Sequence, residues 1–194
     1  MGGRIKIELG RRSLNLIFTD AKINLKFYPA KFKINAAKEY EFLEKMLKAG
    51  THVPRPLGLM KTTNSSVLIR QYIEGVTFEE AMRTLPPRRM RDIIINLIND
   101  LWLIEHMGIH IPEFSTLYKN VIVRDDTPYI IDVERAIYST RPIITQLLGL
   151  LYRLSKHKKI GEKLRQIMDV ESIKKTAERY KRTRKIDDIL KLFT

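Results

Sequence analysis

In the helical pattern that runs from about Asn35 to Lys48, a single carboxylate falls on the apolar arc. At about 100° per residue Ala36, Tyr40, Leu43, Met46 and Leu47 share one face and Glu39 lies inside it, whereas Glu41, Glu44, Lys45 and Lys48 point the other way. An unpaired charge on a buried face costs several kcal/mol. The chain must therefore bring a cation to Glu39 or leave this face at an edge. Lys26 is the candidate: it shares with Lys22 and Asn24 the face of a strand opposite Ile23, Leu25 and Phe27. Taken alone, the pattern equally admits a helix-edge glutamate and a solvated strand lysine.

The segments around this helix read as strands. Arg4 to Leu9 alternates Ile5, Ile7 and Leu9 with Arg4, Lys6 and Glu8, the period of a half-buried strand. Ser13 to Thr19 and Lys22 to Tyr28 follow, set off by Gly10-Arg11-Arg12 and Asp20-Ala21, which predicts an antiparallel meander. Gly50 stops the helix, His52 to Pro56 is extended by its prolines, and Leu57 to Lys61 with Val67 to Ile73 form a hairpin about Thr62 to Ser66. Beyond Gly75 the pattern turns helical, over Phe78 to Arg83, then Arg88 to His106 entered through Pro86-Pro87, then from about Pro142 to the end. One hairpin interrupts it, Val121 to Arg124 and Tyr129 to Val133 about Asp125-Asp126-Thr127. The expectation is an α+β chain in one domain, 1–194. A small antiparallel sheet with one helix occupies about 1–73, and a mainly helical part occupies 74–194.

Counting from Asp126 places Asn120 and Asp132 equally far on either side, so antiparallel pairing brings them to one end of the hairpin. An amide oxygen and a carboxylate are half of a hard-cation site of the kind Mg²⁺ uses when it keeps waters and phosphate oxygens. Glu113, in the loop just before, joins them. The same residues also read as a polar hairpin end with a capping asparagine.

Composition closes other routes. With no cysteine and four scattered histidines, the chain has no disulfide framework, thiol nucleophile or cysteine-ligated zinc. Lys and Arg outnumber Asp and Glu 36 to 22, a surface that attracts phosphate-rich or acidic partners. No apolar run approaches the roughly 20 residues that cross a bilayer, and the start lacks a signal-peptide order. The expectation is a soluble, cytoplasmic protein with no membrane partner.

Lys26, Glu39-Tyr40-Glu41-Phe42-Leu43, Val53-Pro54-Arg55-Pro56, Gln71-Tyr72-Ile73-Glu74-Gly75, Gly108 to Ser115, Asn120-Val121-Ile122-Val123 and Ile130-Ile131-Asp132 occur in an order that resembles RIO-type and related small kinases. The nearest resemblance is to predicted serine/threonine kinases of archaea, with catalytic loop H-G-E-L-S and metal motif I-D-F-E-R-A. The latter stands here as Ile131-Asp132-Val133-Glu134-Arg135-Ala136. The resemblance spans roughly residues 22 to 150 and implies a two-lobed protein-kinase-like fold that binds ATP and Mg²⁺. It implies that Lys26 contacts the α- and β-phosphates and is held by Glu39. Asp132 and Asn120 then hold the metal, Glu113 accepts the substrate hydroxyl proton, and Gln71, Tyr72 and Ile73 form the hinge at the adenine. The implied activity is transfer of the γ-phosphate to serine or threonine of an unidentified protein, the chain itself included.

The departures matter as well. The G-x-G-x-x-G loop is absent and only Gly10 remains in the first turn; backbone amides or Arg11 and Arg12 are the candidates to cover the phosphates in its place, although the plainer reading of the two arginines is as solvated turn residues. Ile111 stands where the family has histidine, with His110 one place early, and Ser115 stands where many kinases carry a phosphate-facing lysine. About ten residues separate Asp132 from the next helix, too few for a conventional activation segment. A nucleotide-binding pseudokinase scaffold fits these departures. A basic module that contacts RNA or a ribosome fits the C-terminal helix, where Lys174, Lys175, Arg179, Lys181 and Arg182 lie off the face of Ile173, Ala177 and Tyr180. Trp102 and the tyrosines read as core.

Overall fold

The computed structural model describes residues 4–112 and 117–193. The alternating segments build one antiparallel sheet from β1 (Ile5–Leu9), β2 (Leu14–Phe18), β3 (Ile23–Pro29), β4 (Pro56–Lys61) and β5 (Ser65–Gln71), in the order β1-β2-β3-β5-β4. A single 3₁₀ turn, Ala30–Phe32, leads from β3 into α1 (Lys33–Lys48), which packs on β3, β4 and β5. The helix ends where the sequence placed its stop. Gly50 takes φ +85°, its N–H donates to the Leu47 carbonyl at 3.0 Å and the Thr51 N–H to the Met46 carbonyl at 3.1 Å, a closed Schellman motif.

Strand register decides which side chains face α1. Asn24 pairs with Ile17 and Arg70, and Lys26 with Asn15 and Leu68, so these positions share the inner face with Tyr28. Asn24, Lys26, Tyr28 and Arg70 are all buried there. The opposite face carries Leu14, Leu16, Phe18, Ile23, Leu25, Phe27 and Ile69, all only half-buried. The inner face thus buries a polar row beside Ile17 and Leu68, while the outer face leaves its apolar row half-buried except at Val67.

β1 departs from the half-buried strand that its alternation predicts. All five residues are exposed, Ile7 at 67% and Leu9 at 87%. Alternation requires that one face be apolar, but burial needs an element over that face, and α1 lies on the other side.

The helical part begins after Gly75, where a Cβ would run into the Val123 carbonyl. It comprises β6 (Val76–Thr77), α2 (Phe78–Thr84), α3 (Pro87–His106), β7 (Ile109–His110), α4 (Leu117–Asn120), β8 (Val121–Arg124), β9 (Thr127–Ile130), β10 (Ile137–Tyr138), α5 (Ile144–Leu154), α6 (Lys158–Arg165), α7 (Ile173–Thr183) and α8 (Ile186–Leu190). Proline at the first position of α3 fits a site whose N–H has no partner within the helix. Its stripe Met90, Ile93, Ile94, Leu97, Ile98, Leu101 and Ile104 is fully buried and, with Leu147, Leu148 and Leu151 of α5, makes the centre of this half. No described helix is long and apolar enough to cross a membrane. The architecture is α+β, a five-stranded antiparallel sheet followed by a helical part, in a kinase-like arrangement with a cleft between them.

β8 and β9 form the expected hairpin, with a shifted register. Asp125 and Asp126 take φ +50° and +61°, the two positive values of a two-residue type I′ turn. Val121 therefore pairs with Ile130 and Arg124 with Thr127.

Candidate functional site

Three elements of the sheet half converge on one carboxylate. Glu39 of α1 is fully buried, and Lys26 Nζ of β3 stands 2.9 Å from its Oε2. Arg70 Nη1 of β5 stands 2.8 Å from its Oε1. The Tyr28 hydroxyl donates to Glu39 and lies 3.1 Å from Glu134 Oε2. The helix face that carried a carboxylate into the core has thus found two cations and a hydroxyl donor, which compensates the cost of burial.

From the other side of the cleft, the loop after β9 presents Asp132 and Glu134. Lys26 Nζ lies 3.4 Å from Asp132 Oδ1 and 3.2 Å from Glu134 Oε2. Arg70 also donates to the Ile131 carbonyl, next to Asp132. At the mouth, Arg12 in the β1–β2 turn reaches Glu134 Oε1 at 3.3 Å. That turn is closed by a 2.8 Å bond from the Gly10 N–H to the Ser13 carbonyl.

Burial alone would lower the Lys26 pKa, but Glu39 and then Asp132 and Glu134 outweigh both this and Arg70, and hold it above its ordinary value. Lys26 therefore remains a cation. Burial would raise the Asp132 carboxyl, yet Lys26 and Arg70 hold it below the usual range, so it remains an anion. Tyr28 is pushed upward, first by burial and then by Glu39, and stays a neutral donor.

The cleft has a volume of about 860 Å³, within the range of small-ligand sites. Lys26, Asn120, Asp132, Gln71, Tyr72 and Ile73 all line it. Among the described residues, its basic lining, Arg11, Arg12, Lys26, Arg70, Lys119 and Arg135, outnumbers the acidic Glu8, Asp132 and Glu134, a balance suited to a polyanion. At the hinge, the Gln71 N–H donates to the Arg55 carbonyl at 2.9 Å and the Tyr72 N–H to the Lys22 carbonyl at 2.8 Å. A base in the cleft does not meet those two donors.

The pairing expected between Asn120 and Asp132 is corrected. The two-residue turn centres the hairpin between Asp125 and Asp126, so Asn120 lies opposite Ile131, whose N–H donates to its carbonyl at 2.9 Å. Asp132 is the next residue, and its side chain is 42% exposed toward the cleft. An all-oxygen set with an open carboxylate fits a hard divalent cation. Carboxylate oxygens of Glu39, Asp132 and Glu134 also lie within 4.8 Å of one another, with Lys26 Nζ in contact with all three residues.

Glu113 and Ser115 lie outside the described residues. His110 is buried, and its Nδ1 is 3.2 Å from the Arg141 carbonyl, so that nitrogen carries the proton. Arg12, read from sequence as solvated, is instead tied to Glu134. The tyrosines are not all core: Tyr138 is 58% exposed. Tyr152 is only half-buried, with Lys156 and Lys174 ammonium groups 4.6 and 4.5 Å from its ring centroid.

Arg70, Tyr28 and Glu134 were not anticipated as site residues. Arg70 had a signal in its alternation with Ser66 and Leu68, which puts a cation on the same inner face as Lys26. Glu134, 108 positions from Lys26 in the chain, had none beyond its place two residues after Asp132.

The sequence model of the RIO domain matches residues 19–149. No curated protein matches the chain.

Proposed function

Because the chain belongs to the RIO domain family of atypical kinases, we propose that it is a minimal ATP-dependent kinase that transfers the γ-phosphoryl group to a serine or threonine hydroxyl. The observation that carries this reading is Lys26, buried in the cleft between Glu39 at 2.9 Å and Asp132 at 3.4 Å. A lysine fixed by a helix glutamate and facing a second, open carboxylate is the arrangement that phosphoryl transfer uses to position phosphates and charge.

In this reading the adenine lies against Gln71 to Ile73. The polyphosphate takes over the Asp132 and Glu134 side of Lys26, which then meets the α- and β-phosphates while Glu39 and Arg70 keep it aimed. Arg12, leaving Glu134, covers the phosphates from the turn that lacks the glycine pattern. Asp132 and Asn120 hold Mg²⁺, which neutralises charge on the phosphate oxygens. Glu113 takes the proton as the substrate oxygen attacks the γ-phosphorus and the bond to the β–γ bridging oxygen breaks, releasing ADP. The protein substrate is unidentified, and the chain itself is one candidate.

The test is incubation with γ-labelled ATP and Mg²⁺, wild type against Asp132→Ala, with mapping of labelled sites on the protein and on a generic acceptor. Label that depends on Asp132 and resides on serine or threonine is the expected result. Equal labelling in both proteins, or none, contradicts it.

A second reading is contact with RNA or a ribosomal surface, favoured by the lysines flanking the Tyr152 ring and by a formal net charge of +14. It predicts salt-sensitive RNA binding that survives Lys26→Ala and Asp132→Ala.

A further inference from the structure

β1 is an edge strand, and its exposed main-chain edge is specified residue by residue. The Thr19 N–H donates to the Arg4 carbonyl and the Gly10 N–H to the Ser13 carbonyl. Bonded and non-bonded pairs alternate in an antiparallel ladder, so Arg4, Lys6, Glu8 and Gly10 bond to β2. The N–H and C=O groups of Ile5, Ile7 and Leu9 therefore point away from the sheet. Their side chains are 57%, 67% and 87% exposed.

The far edge of the sheet differs. β4 begins at Pro56, and its register shifts between Pro56 and Gly58, so a proline and a bulge blunt it. β1 has neither device along its five residues.

The sequence of β1, Ile5-Lys6-Ile7-Glu8-Leu9, is complementary to itself when reversed. Consider two copies antiparallel about a two-fold axis at Ile7. Ile7 pairs with Ile7 and Ile5 with Leu9 of the second copy, and these are the residues whose main-chain groups face outward. The intervening pairs are Lys6 with Glu8 and Glu8 with Lys6, opposite charges at non-bonded positions, where cross-strand side chains come closest. On the outer face the apolar rows of the two strands then lie side by side. A slip of one residue would set Lys6 against Ile7 and turn the rows to opposite faces.

We propose that β1 is a self-association edge, joining two copies of this chain into a continuous sheet with Ile7 on the two-fold axis. The contact is isologous and consumes the β1 edge of both copies, so assembly stops at two.

Sedimentation equilibrium on the whole chain tests this. Wild type associates reversibly to a dimer. Ile7→Pro is monomeric with unchanged circular dichroism, because the N–H it removes faces away from β2. Lys6→Glu alone and Glu8→Lys alone are monomeric, since each sets like charges opposite one another. An equimolar mixture of those two variants dimerises again, and so does the double exchange. Should Ile7→Pro fail to fold, the charge variants decide. A wild type that stays monomeric at millimolar concentration overturns the proposal, as does a dimer that Lys6→Glu and Glu8→Lys leave intact.

Discussion

Arg70 Nη1 stands 2.8 Å from Glu39 Oε1, and the same guanidinium donates to the Ile131 carbonyl, so one side chain joins β5, α1 and the segment that carries Asp132. It is the second cation on a carboxylate whose exposure is 0%. Removing one partner of a buried ion pair typically costs about 3–5 kcal/mol because the other charge is left behind. Arg70→Ala is therefore expected to destabilise the fold by an amount of that order. Urea unfolding measures it, and a loss below about 1 kcal/mol would show that Lys26 and Tyr28 suffice for Glu39.

The acid limb of stability follows from Asp132. Burial raises its pKa, but Lys26 and Arg70 more than offset this and hold it below the ordinary value. A carboxyl depressed in the folded state contributes stability that is present above its unfolded value, about 3.9, and is lost as pH falls through the lower folded value. The stability difference between wild type and Asp132→Asn should hold steady from pH 7 to about 5 and shrink below about 4. Lys26 mirrors this at the alkaline end. Its pKa is raised, so its contribution is complete below about 10.4 and is lost as pH rises through the higher folded value. Urea melts across pH provide the check, and an Asp132 difference that widens toward acid contradicts it.

What the sequence disclosed of this site depended on distance along the chain and on what periodicity encodes. Helical spacing put Glu39 inward because 3.6-residue geometry is local, and strand alternation put Lys26 on one face with Asn24 for the same reason. Alternation does not say which face is covered, and that is why β1 read as half-buried although all its residues are exposed. The Asn120 and Asp132 register slipped by one because a turn of two positive-φ aspartates is centred between residues, whereas the count was centred on Asp126. Glu134 and Arg12, 122 positions apart, meet only when the sheet half folds over the helical half. No local pattern records that contact.

ATP with Mg²⁺ should raise the melting temperature, since a ligand bound only by the folded state adds RT ln(1 + [L]/Kd) to stability, about 2.7 kcal/mol at one hundred times Kd. Asp132→Ala is expected to lose most of the Mg²⁺-dependent part and to keep the part that ATP supplies alone. Equal shifts in both proteins would remove Asp132 from the metal.

Arg12 lies 3.3 Å from Glu134 and lines the cleft. If it turns to the phosphates, Arg12→Ala weakens ATP binding by roughly tenfold, the loss of one charge-assisted hydrogen bond of about 1.5 kcal/mol. Adenosine binding should not change. Glu134→Gln removes the competing carboxylate and should tighten ATP. Calorimetric titrations with ATP and with adenosine separate these cases, and an equal loss for both ligands would mean that Arg12 supports the fold rather than the phosphates.

The most direct measurement follows nucleotide binding and γ-phosphoryl transfer side by side in wild type, Asp132→Ala and Glu113→Gln. The account predicts that wild type binds ATP with Mg²⁺ and transfers label to serine or threonine, and that Asp132→Ala loses transfer. Glu113→Gln should bind ATP as wild type does while transferring on the order of 100-fold more slowly, the scale of a positioned general base. A wild type that binds ATP without transferring the phosphate would contradict it and make the chain a nucleotide-binding scaffold.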